Sequence, residues 1–267
     1  MVVAERATVI GLTRSESHGY TWCDGKAATP VLPSVTTIMG VLDKSGPLIG
    51  WAQRIVAEAA VDNAAMLPQW LEIGGRDGAI SLLKKAATQK RDKAADVGTR
   101  VHALAESIAR GQPVELTDEE RPFLTAYQRF LTEWEPRYLA AEEMVVSLRH
   151  GYGGTFDAIV EMAGDTWMLD TKTSKGVYPE TSLQLAAYTF ADFIGRPADP
   201  KRYSIPPITA YGVLHLRPEN GGVYEVVPYD VTPATFEAFL DALRLYRWRE
   251  TEATKVMGQP LGRAIVK

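Results

Sequence analysis

The spacing of apolar residues along the chain changes from a helical to a strand-like period. Over residues 96–110 and again over residues 116–137, apolar side chains recur every three to four positions, as on one face of a helix. From residue 142 onward, apolar and polar positions tend to alternate, and short turn-forming clusters divide the alternating run. This pattern predicts three successive strands, at residues 142–149, 155–162 and 166–171.

The segments on either side of these strands read as further helices and strands. The same criteria predict helices at 35–42, 47–66, 77–89, 181–194 and 233–250, strands at 209–216 and 223–228, and a Pro-rich loop at 196–207. The order predicts an α/β fold whose mixed central sheet is flanked by helices. We divide the chain into an N-terminal part with strands and a helical extension (residues 1–94) and a core with a C-terminal strand and helix (residues 95–267).

Composition narrows the class of protein. Hydrophobic residues make up 46% of the chain and charged residues 23%, which indicates a folded globular protein. The 29 Lys and Arg against 33 Asp and Glu give a net charge of −4, so the surface is not cationic throughout. Any affinity for nucleic acid must therefore come from a local patch, or from metal ions that bridge acidic side chains to phosphate.

The cysteine content and the hydropathy pattern suggest a compartment. The single cysteine, Cys23, excludes an intrachain disulfide and a four-cysteine zinc or iron–sulfur site. The first residues carry charges too early, and too short an apolar run, for a signal peptide, and no stretch has the length of a membrane span. We therefore expect a cytoplasmic protein with no membrane partner.

Three charged residues interrupt the apolar pattern of two neighbouring predicted strands. Asp170 and Lys172 are two positions apart and should share one face of a strand, while Asp157 lies on the strand before the hairpin. Carboxylates buried close together repel each other unless they bind a cation, and oxygen ligands suit Mg²⁺ or Mn²⁺. The Asp-x-Lys triplet alone would indicate a structural ion pair. The three residues together predict a metal site in which Lys172 positions a water or stabilises negative charge.

Polar residues on the helices before and after these strands are candidates for the same site. Gln184 and Tyr188 are four residues apart and form one stripe, which fits either a polar rim around the core or a position beside the site. His102 precedes Glu106 by one helical turn; on its own it would be a histidine at the edge of the core.

Four short segments carry a resemblance to a known family. They are GTRVHALAE (residues 98–106), GGTFD (153–157), LDTKTS (169–174) and LQLAAY (183–188). In this order and spacing they resemble the PD-(D/E)XK nuclease superfamily in its RecB-like branch, over roughly residues 95–195. The resemblance implies a restriction-endonuclease-like core and metal-dependent hydrolysis of DNA phosphodiester bonds.

The resemblance also assigns roles to individual residues. Asp157 and Asp170 would bind Mg²⁺ or Mn²⁺, the backbone carbonyl of Thr171 would complete the ligand set, and Lys172 would activate the attacking water. The branch's further positions would be the metal-proximal histidine, the Gln–Tyr pair beside the scissile phosphate and an acidic residue on the first strand. These positions correspond here to His102, to Gln184 with Tyr188, and to Glu142, with the adjacent Glu143 as the alternative.

The sequence departs from the family pattern at some positions, and these departures limit which family properties we expect of this chain. Asp170 stands where many relatives have glutamate, and one cysteine cannot hold the iron–sulfur cluster of the cluster-bearing members. The segment LPSVTTIMGVLDKSGPLIGWA resembles the start of phage-encoded RecB-like exonucleases, which would place the protein in the cytoplasm of a bacterial host. No helicase motif is present, so unwinding would need a helicase or recombinase partner, and a homo-oligomer is a further expectation from relatives.

A basic stretch before the core helix is the candidate surface for DNA. It reads either as a solvated helix face or as a contact surface for phosphates, and its members are Lys84, Lys85, Lys90, Arg91, Lys93 and Arg100.

The leading hypothesis is thus a metal-dependent deoxyribonuclease that acts as an exonuclease in DNA recombination, repair or phage DNA processing. An endonuclease of the same fold and a non-catalytic DNA-binding subunit are the alternatives, and a glycosidase with paired carboxylates is a weaker one. Cleavage polarity, strand preference, the number of metal ions and the oligomeric state stay open.

Overall fold

A computed structural model gives the fold, and the structure describes residues 10–43, 45–109, 112–258 and 262. In chain order, the elements are β1 (Gly11–Arg14), β2 (Tyr20–Cys23), α1 (Val35–Met39), α2 (Ser45–Asp62), α3 (Leu67–Ala109), α4 (Arg121–Trp134), β3 (Arg137–Ser147), β4 (Tyr152–Met162), β5 (Asp165–Lys172), α5 (Thr181–Thr189), β6 (Phe193–Arg196), β7 (Asp199–Tyr203), β8 (Ala210–Arg217), β9 (Val223–Pro228) and α6 (Pro233–Thr251). Among these residues, no helix is both long enough and apolar enough to cross a membrane.

The central sheet of the described chain has seven strands in the order β7-β6-β3-β4-β5-β8-β9. Neighbouring strands are antiparallel except for β5 and β8, which run parallel. Two parallel strands cannot be joined by a hairpin, and the connection between β5 and β8 contains helix α5. The prediction of a mixed α/β sheet flanked by helices is confirmed.

Each face of the sheet carries its own apolar core. Helices α1, α5 and α6 cover one face, where Phe156, Ile159 and Met168 are fully buried. The C-terminal part of α3 and helix α4 cover the other face, where Val160 and Leu169 are buried. Alternating residues of β5, Met168 and Leu169, thus point to opposite cores, as the period of a strand requires.

The hairpin of β1 and β2 packs over the end of strands β3 and β6. Its buried residues Leu12, Tyr20 and Trp22 contact Val146 and Phe193. Gly153 on β4 makes this approach possible, because a Cβ there would lie 2.6 Å from the ring of Tyr20. The β1–β2 hairpin is therefore packed onto the sheet rather than separated from it.

The helices predicted at 77–89 and 96–110 are wrong as separate elements, because both lie in the single helix α3. The residues between them, KRDKAA, contain neither Gly nor Pro, and such residues continue a helix readily. Helix α3 also runs across the boundary proposed after residue 94. Its one non-helical position is Gly75, whose φ of 61° and ψ of −171° suit a residue without a side chain.

The prediction was less accurate for the segment that follows β5. Helix α5 ends at Thr189 instead of 194, and part of the predicted loop at 196–207 forms β7, which pairs with β6. Strand β6 pairs with β3, with Ile194 opposite Val145. Beyond the end of the helix, the Asp192 carboxylate accepts hydrogen bonds from Arg149 N (3.0 Å) and Ser147 Oγ (3.4 Å), which hold the chain against the end of β3 before β6 begins.

Candidate metal centre

Asp157 lies where strands β4 and β5 cease to pair. Their pairing runs from Met162 opposite Asp165 to Ala158 opposite Leu169. Just beyond it, Asp157 Oδ2 accepts a hydrogen bond from the backbone N–H of Thr171 at 2.6 Å. The two strands therefore hold the Asp157 carboxylate at the end of the hairpin ladder.

Helix α3 brings His102 to the same carboxylate. His102 Nδ1 lies 3.5 Å from Asp157 Oδ2, and its side chain is 29% exposed. The helix approaches closely at Gly98, where a Cβ would lie 3.0 Å from Thr173 Oγ1 in the segment after β5. The glycine of the GTRVHALAE segment thus helps to set the distance between His102 and the end of the sheet.

Glu142 completes this group from strand β3. One ligand atom each of His102, Glu142 and Asp157 can be chosen so that all three lie within 4.8 Å of one another. Glu142 has a left-handed backbone with φ of 53°, which is unusual for a residue with a side chain. Its neighbour Glu143 instead forms an ion pair with Arg196 at 2.7 Å. Of the two candidates for the acidic position, the structure brings Glu142 to the group.

Strand β4 also departs from strict alternation, at the position across from the irregular backbone of Glu142. Strict alternation would place Phe156 with Ala158 and Val160 and opposite Ile159, but Phe156 packs in the same core as Ile159. Alternation therefore breaks at Asp157, the residue across from Glu142. The break lets Asp157 face α3 although Phe156 packs beneath α5 and α6.

Asp170 is buried beside this group and is held by two residues of the predicted site. Its Oδ1 accepts a hydrogen bond from Gln184 Nε2 at 2.8 Å, and its Oδ2 lies 2.7 Å from Lys172 Nζ. Oδ2 is fully buried, Lys172 is its partner in the described structure, and the Asp170 side chain is 2% exposed.

Gln184 also connects Asp170 to Tyr188. The amide nitrogen of Gln184 donates to Tyr188 Oη at 3.1 Å, as the four-residue spacing on α5 predicts. Burial, followed by the charges of Asp170 and Asp157, raises the pKa of Tyr188, so its hydroxyl stays protonated. The ring packs against Gly154, where a Cβ would lie 2.5 Å from Tyr188 Cε1.

Burial and mutual repulsion raise the pKa of two carboxyl groups here. Desolvation, then the charges of Asp157 and Glu106, raises the pKa of Glu142 from 4.5 to about 8. Desolvation and the charge of Asp157 raise the pKa of Asp170 from 3.8 to about 6, although Lys172 opposes this. Desolvation would lower the pKa of Lys172, but Asp170 and Asp157 raise it. Burial first, and neighbouring carboxylates second, thus disfavour the negative charge of Glu142 and Asp170.

The donor atoms at this place fit a divalent cation. Carboxylate oxygens suit Mg²⁺ and Mn²⁺, and an imidazole nitrogen broadens the choice toward transition metals, Mn²⁺ included. His102, Glu142, Asp157 and Asp170 could supply such ligands, and a cation would stabilise the carboxylates whose charge burial and mutual repulsion disfavour. Thr171 contacts Asp157 through its backbone N–H, and the role of its backbone carbonyl as a metal ligand stays a prediction.

Two adjoining openings lead to these residues. A cleft of about 690 Å³ runs between α3 and the end of the sheet and is lined by His102, Glu142 and Lys172. A smaller pocket of about 190 Å³ reaches Asp157 and Asp170. Arg14 lines both openings. Nothing in its local sequence marks this arginine, because it reaches the site through the packing of the β1–β2 hairpin.

The predicted basic surface lies on α3. Lys84 and Lys85 are exposed and have no ion-pair partner among the described residues. The other members are paired: Lys90 with Glu58 (3.3 Å), Arg91 with Asp92 (2.8 Å), Lys93 with Glu119 (2.6 Å) and Arg100 with the buried Glu120. These pairs reduce the positive charge of the stretch, and its contact with DNA stays a prediction.

Comparison with known proteins assigns no family to this geometry. No protein-family model matches the chain, and no curated protein matches it. The functional argument therefore rests on the residues of the site and their arrangement.

Proposed function

We propose that the chain is a metal-dependent deoxyribonuclease with a restriction-endonuclease-like core of the RecB-like branch, and that it hydrolyses phosphodiester bonds as an exonuclease. The observation that carries the proposal is the convergence of His102, Glu142 and Asp157 beside the buried Asp170 and Lys172. These residues come from α3, β3, β4 and β5. The motif segments that resemble the superfamily thus meet at one place.

The chemistry of the site suits an anionic ester. A divalent cation bound by the carboxylates and His102 would neutralise phosphate charge, lower the pKa of a bound water and stabilise the leaving oxygen. Lys172, held by Asp170 at 2.7 Å, would orient the attacking water. Gln184 fixes the Asp170 carboxylate at 2.8 Å and keeps it turned toward Lys172.

A complete set of functional side chains favours an enzyme over a DNA-binding subunit. A protein that only bound DNA would have no use for a buried carboxylate with a raised pKa next to a partly exposed ammonium, because the buried carboxylate is costly to desolvate. The exonuclease mode itself rests on the resemblance of the motif segments.

Digestion of end-labelled single- and double-stranded DNA with Mg²⁺, with Mn²⁺ and with EDTA tests the proposal. We expect cleavage with either metal and none with EDTA. Asp170→Ala and Lys172→Ala should abolish cleavage, while Lys175→Ala, a nearby lysine that lines neither opening, should not. Thermal denaturation of each variant checks its fold. Undiminished metal-dependent cleavage in both site variants would remove the assignment.

The form of the substrate separates the two nuclease modes. An exonuclease degrades linear duplex and spares a covalently closed circle, whereas an endonuclease cuts both. Binding of DNA without turnover in any of the metals would favour the non-catalytic alternative.

A further inference from the structure

Arg14 is a cation beside the acidic site that the proposed chemistry does not use. It ends strand β1 and lines both the large cleft and the smaller pocket that reaches Asp157 and Asp170. In the described part of the chain, no carboxylate lies within ion-pair distance of it. Lys172 is bound to Asp170, so Arg14 is the charge at these openings that remains available to an anion.

The hairpin that carries Arg14 is well anchored, and the arginine side chain itself is exposed. Leu12 and Tyr20 of the same hairpin are buried, and Tyr20 Oη makes a 2.8 Å hydrogen bond with Thr155 Oγ1 on β4. Arg14 Nη2 donates to His18 Nδ1 at 2.6 Å, which orients the guanidinium. The hairpin thus presents the guanidinium at a defined place in the two openings, with one hydrogen bond that orients it.

A hydroxyl group lies in the same pocket. Thr36 is exposed at the wall of the smaller pocket, and its Oγ1 lies 3.0 Å from Ser34 Oγ, which is itself 3% exposed. A hydroxyl and a guanidinium are both donors to phosphate oxygens, and the guanidinium can donate two parallel hydrogen bonds. The carboxylates at the far wall would repel an anion that had no such donors to meet it.

We propose that Arg14, assisted by Thr36, forms a phosphate-binding subsite next to the metal centre, which holds a phosphate group of the bound nucleic acid strand. This inference rests on the proposed function. The phosphate is either the terminal group of a strand or an internal diester next to the one that is cleaved. The two sources differ in whether recognition requires a phosphorylated end.

Binding and cleavage of labelled oligonucleotides test the subsite. The variants are Arg14→Ala and Arg14→Lys, and Arg149→Ala is the matched control, because Arg149 is exposed and lines neither opening. Affinity is measured by fluorescence anisotropy in Ca²⁺ at several salt concentrations, and KM and kcat are measured in Mn²⁺. Substrates carry a 5′-phosphate, a 3′-phosphate or hydroxyl groups at both ends.

We expect Arg14→Ala to weaken binding and raise KM about tenfold or more, with a smaller change in kcat. The slope of log affinity against log salt should fall by about 0.7 to 0.9, the value of one phosphate contact. Arg14→Lys should restore the salt slope but only part of the affinity, since a lysine cannot donate in the bidentate way. The control should match the wild type.

The comparison of strand ends identifies the source of the phosphate. If the penalty of Arg14→Ala appears with phosphorylated ends alone, the subsite holds a terminal phosphate. An equal penalty on all substrates indicates an internal diester.

The two proposals can fail separately. If the wild type cleaves DNA but Arg14→Ala keeps its affinity, KM and salt slope on every substrate, the subsite is overturned and the nuclease stands. If the wild type binds DNA in an Arg14-dependent way but never cleaves it, the nuclease proposal fails and the subsite stands. A wild type that neither binds nor cleaves overturns both.

Discussion

Replacing Glu142 with glutamine should stabilise the metal-free protein at alkaline pH. Burial, followed by the charges of Asp157 and Glu106, raises the pKa of Glu142 from 4.5 to about 8. At pH 8 Glu142 is ionised in the unfolded chain without any cost. In the folded protein its side chain must either be ionised in an unfavourable place or bind a proton, and both lower the free energy of unfolding. A glutamine of the same shape removes this cost.

The size of the effect follows from the pKa of Glu142. A pKa difference of one corresponds to about 1.4 kcal/mol, so the rise would be worth about 5 kcal/mol in a sealed interior. Because Glu142 is partly exposed, solvent screening reduces this figure, and we expect about 2 kcal/mol. For a chain of this length, this gain raises the melting temperature by about 4–8 °C.

The dependence on pH has a definite sign. A carboxyl group whose pKa is raised by folding costs nothing below its unfolded pKa, and the cost grows until the pH passes the folded pKa. The advantage of Glu142→Gln should therefore be large at pH 8 and small at pH 5. The raised pKa of Asp170 is present in both proteins and does not create this difference.

Thermal denaturation in EDTA at pH 5 and pH 8, repeated with Mn²⁺, is the assay. Mn²⁺ should raise the melting temperature of the wild type at pH 8 and have less effect on Glu142→Gln, which lacks one ligand. Glu143→Gln is the control: it breaks the ion pair with Arg196 and should cost about 0.2–1 kcal/mol without dependence on metal. A Glu142→Gln protein less stable than the wild type at pH 8 in EDTA would refute the reasoning.

Two further substitutions test the packing behind the site. Gly154→Ala places a Cβ 2.5 Å from Tyr188 Cε1, so we expect a loss of about 1–3 kcal/mol in the free energy of unfolding and reduced cleavage. The control is Gly50→Ala on α2, which has open space around it and should be neutral or stabilising. Equal stability of the two variants would contradict this expectation. Thr232→Ala removes the side-chain cap of α6 and should lower the free energy of unfolding, measured by urea denaturation, by about 1 kcal/mol. KM should stay unchanged, and a changed KM would link α6 to the site.

The sequence alone predicts the relative positions of residues that follow a local periodicity. Asp170 and Lys172 share a face because a strand alternates, and Gln184 and Tyr188 meet because a helix repeats about every four residues. The three central strands and the mixed sheet follow from the same patterns. In each case, a few consecutive residues contain all the information.

The rest of the site depends on contacts between distant segments. The choice of Glu142 over Glu143 requires the left-handed backbone of Glu142 and the ion pair of Glu143 with Arg196, which lies 53 positions away. Arg14 reaches the cleft because the β1–β2 hairpin packs on the end of the sheet. No periodicity within either segment contains this information.

The strands β6 and β7 were missed for a related reason. The residues of β7, DPKRY, are mostly exposed and include a proline, which argues against a strand in a sequence reading. The segment is a strand because it pairs with β6 at the edge of the sheet, where a proline is tolerated.

Helix α3 connects the exposed lysines to the candidate metal centre. Eighteen positions of helix separate Lys84 from His102, which is about 27 Å at 1.5 Å per residue, and no loop or non-helical residue interrupts them. Between these two residues the helix is tied to the rest of the fold by the ion pairs Lys93–Glu119 and Arg100–Glu120. The exposed Lys84 and the imidazole of His102 therefore lie at a separation fixed by one helix, whatever the conformation of the loops around them.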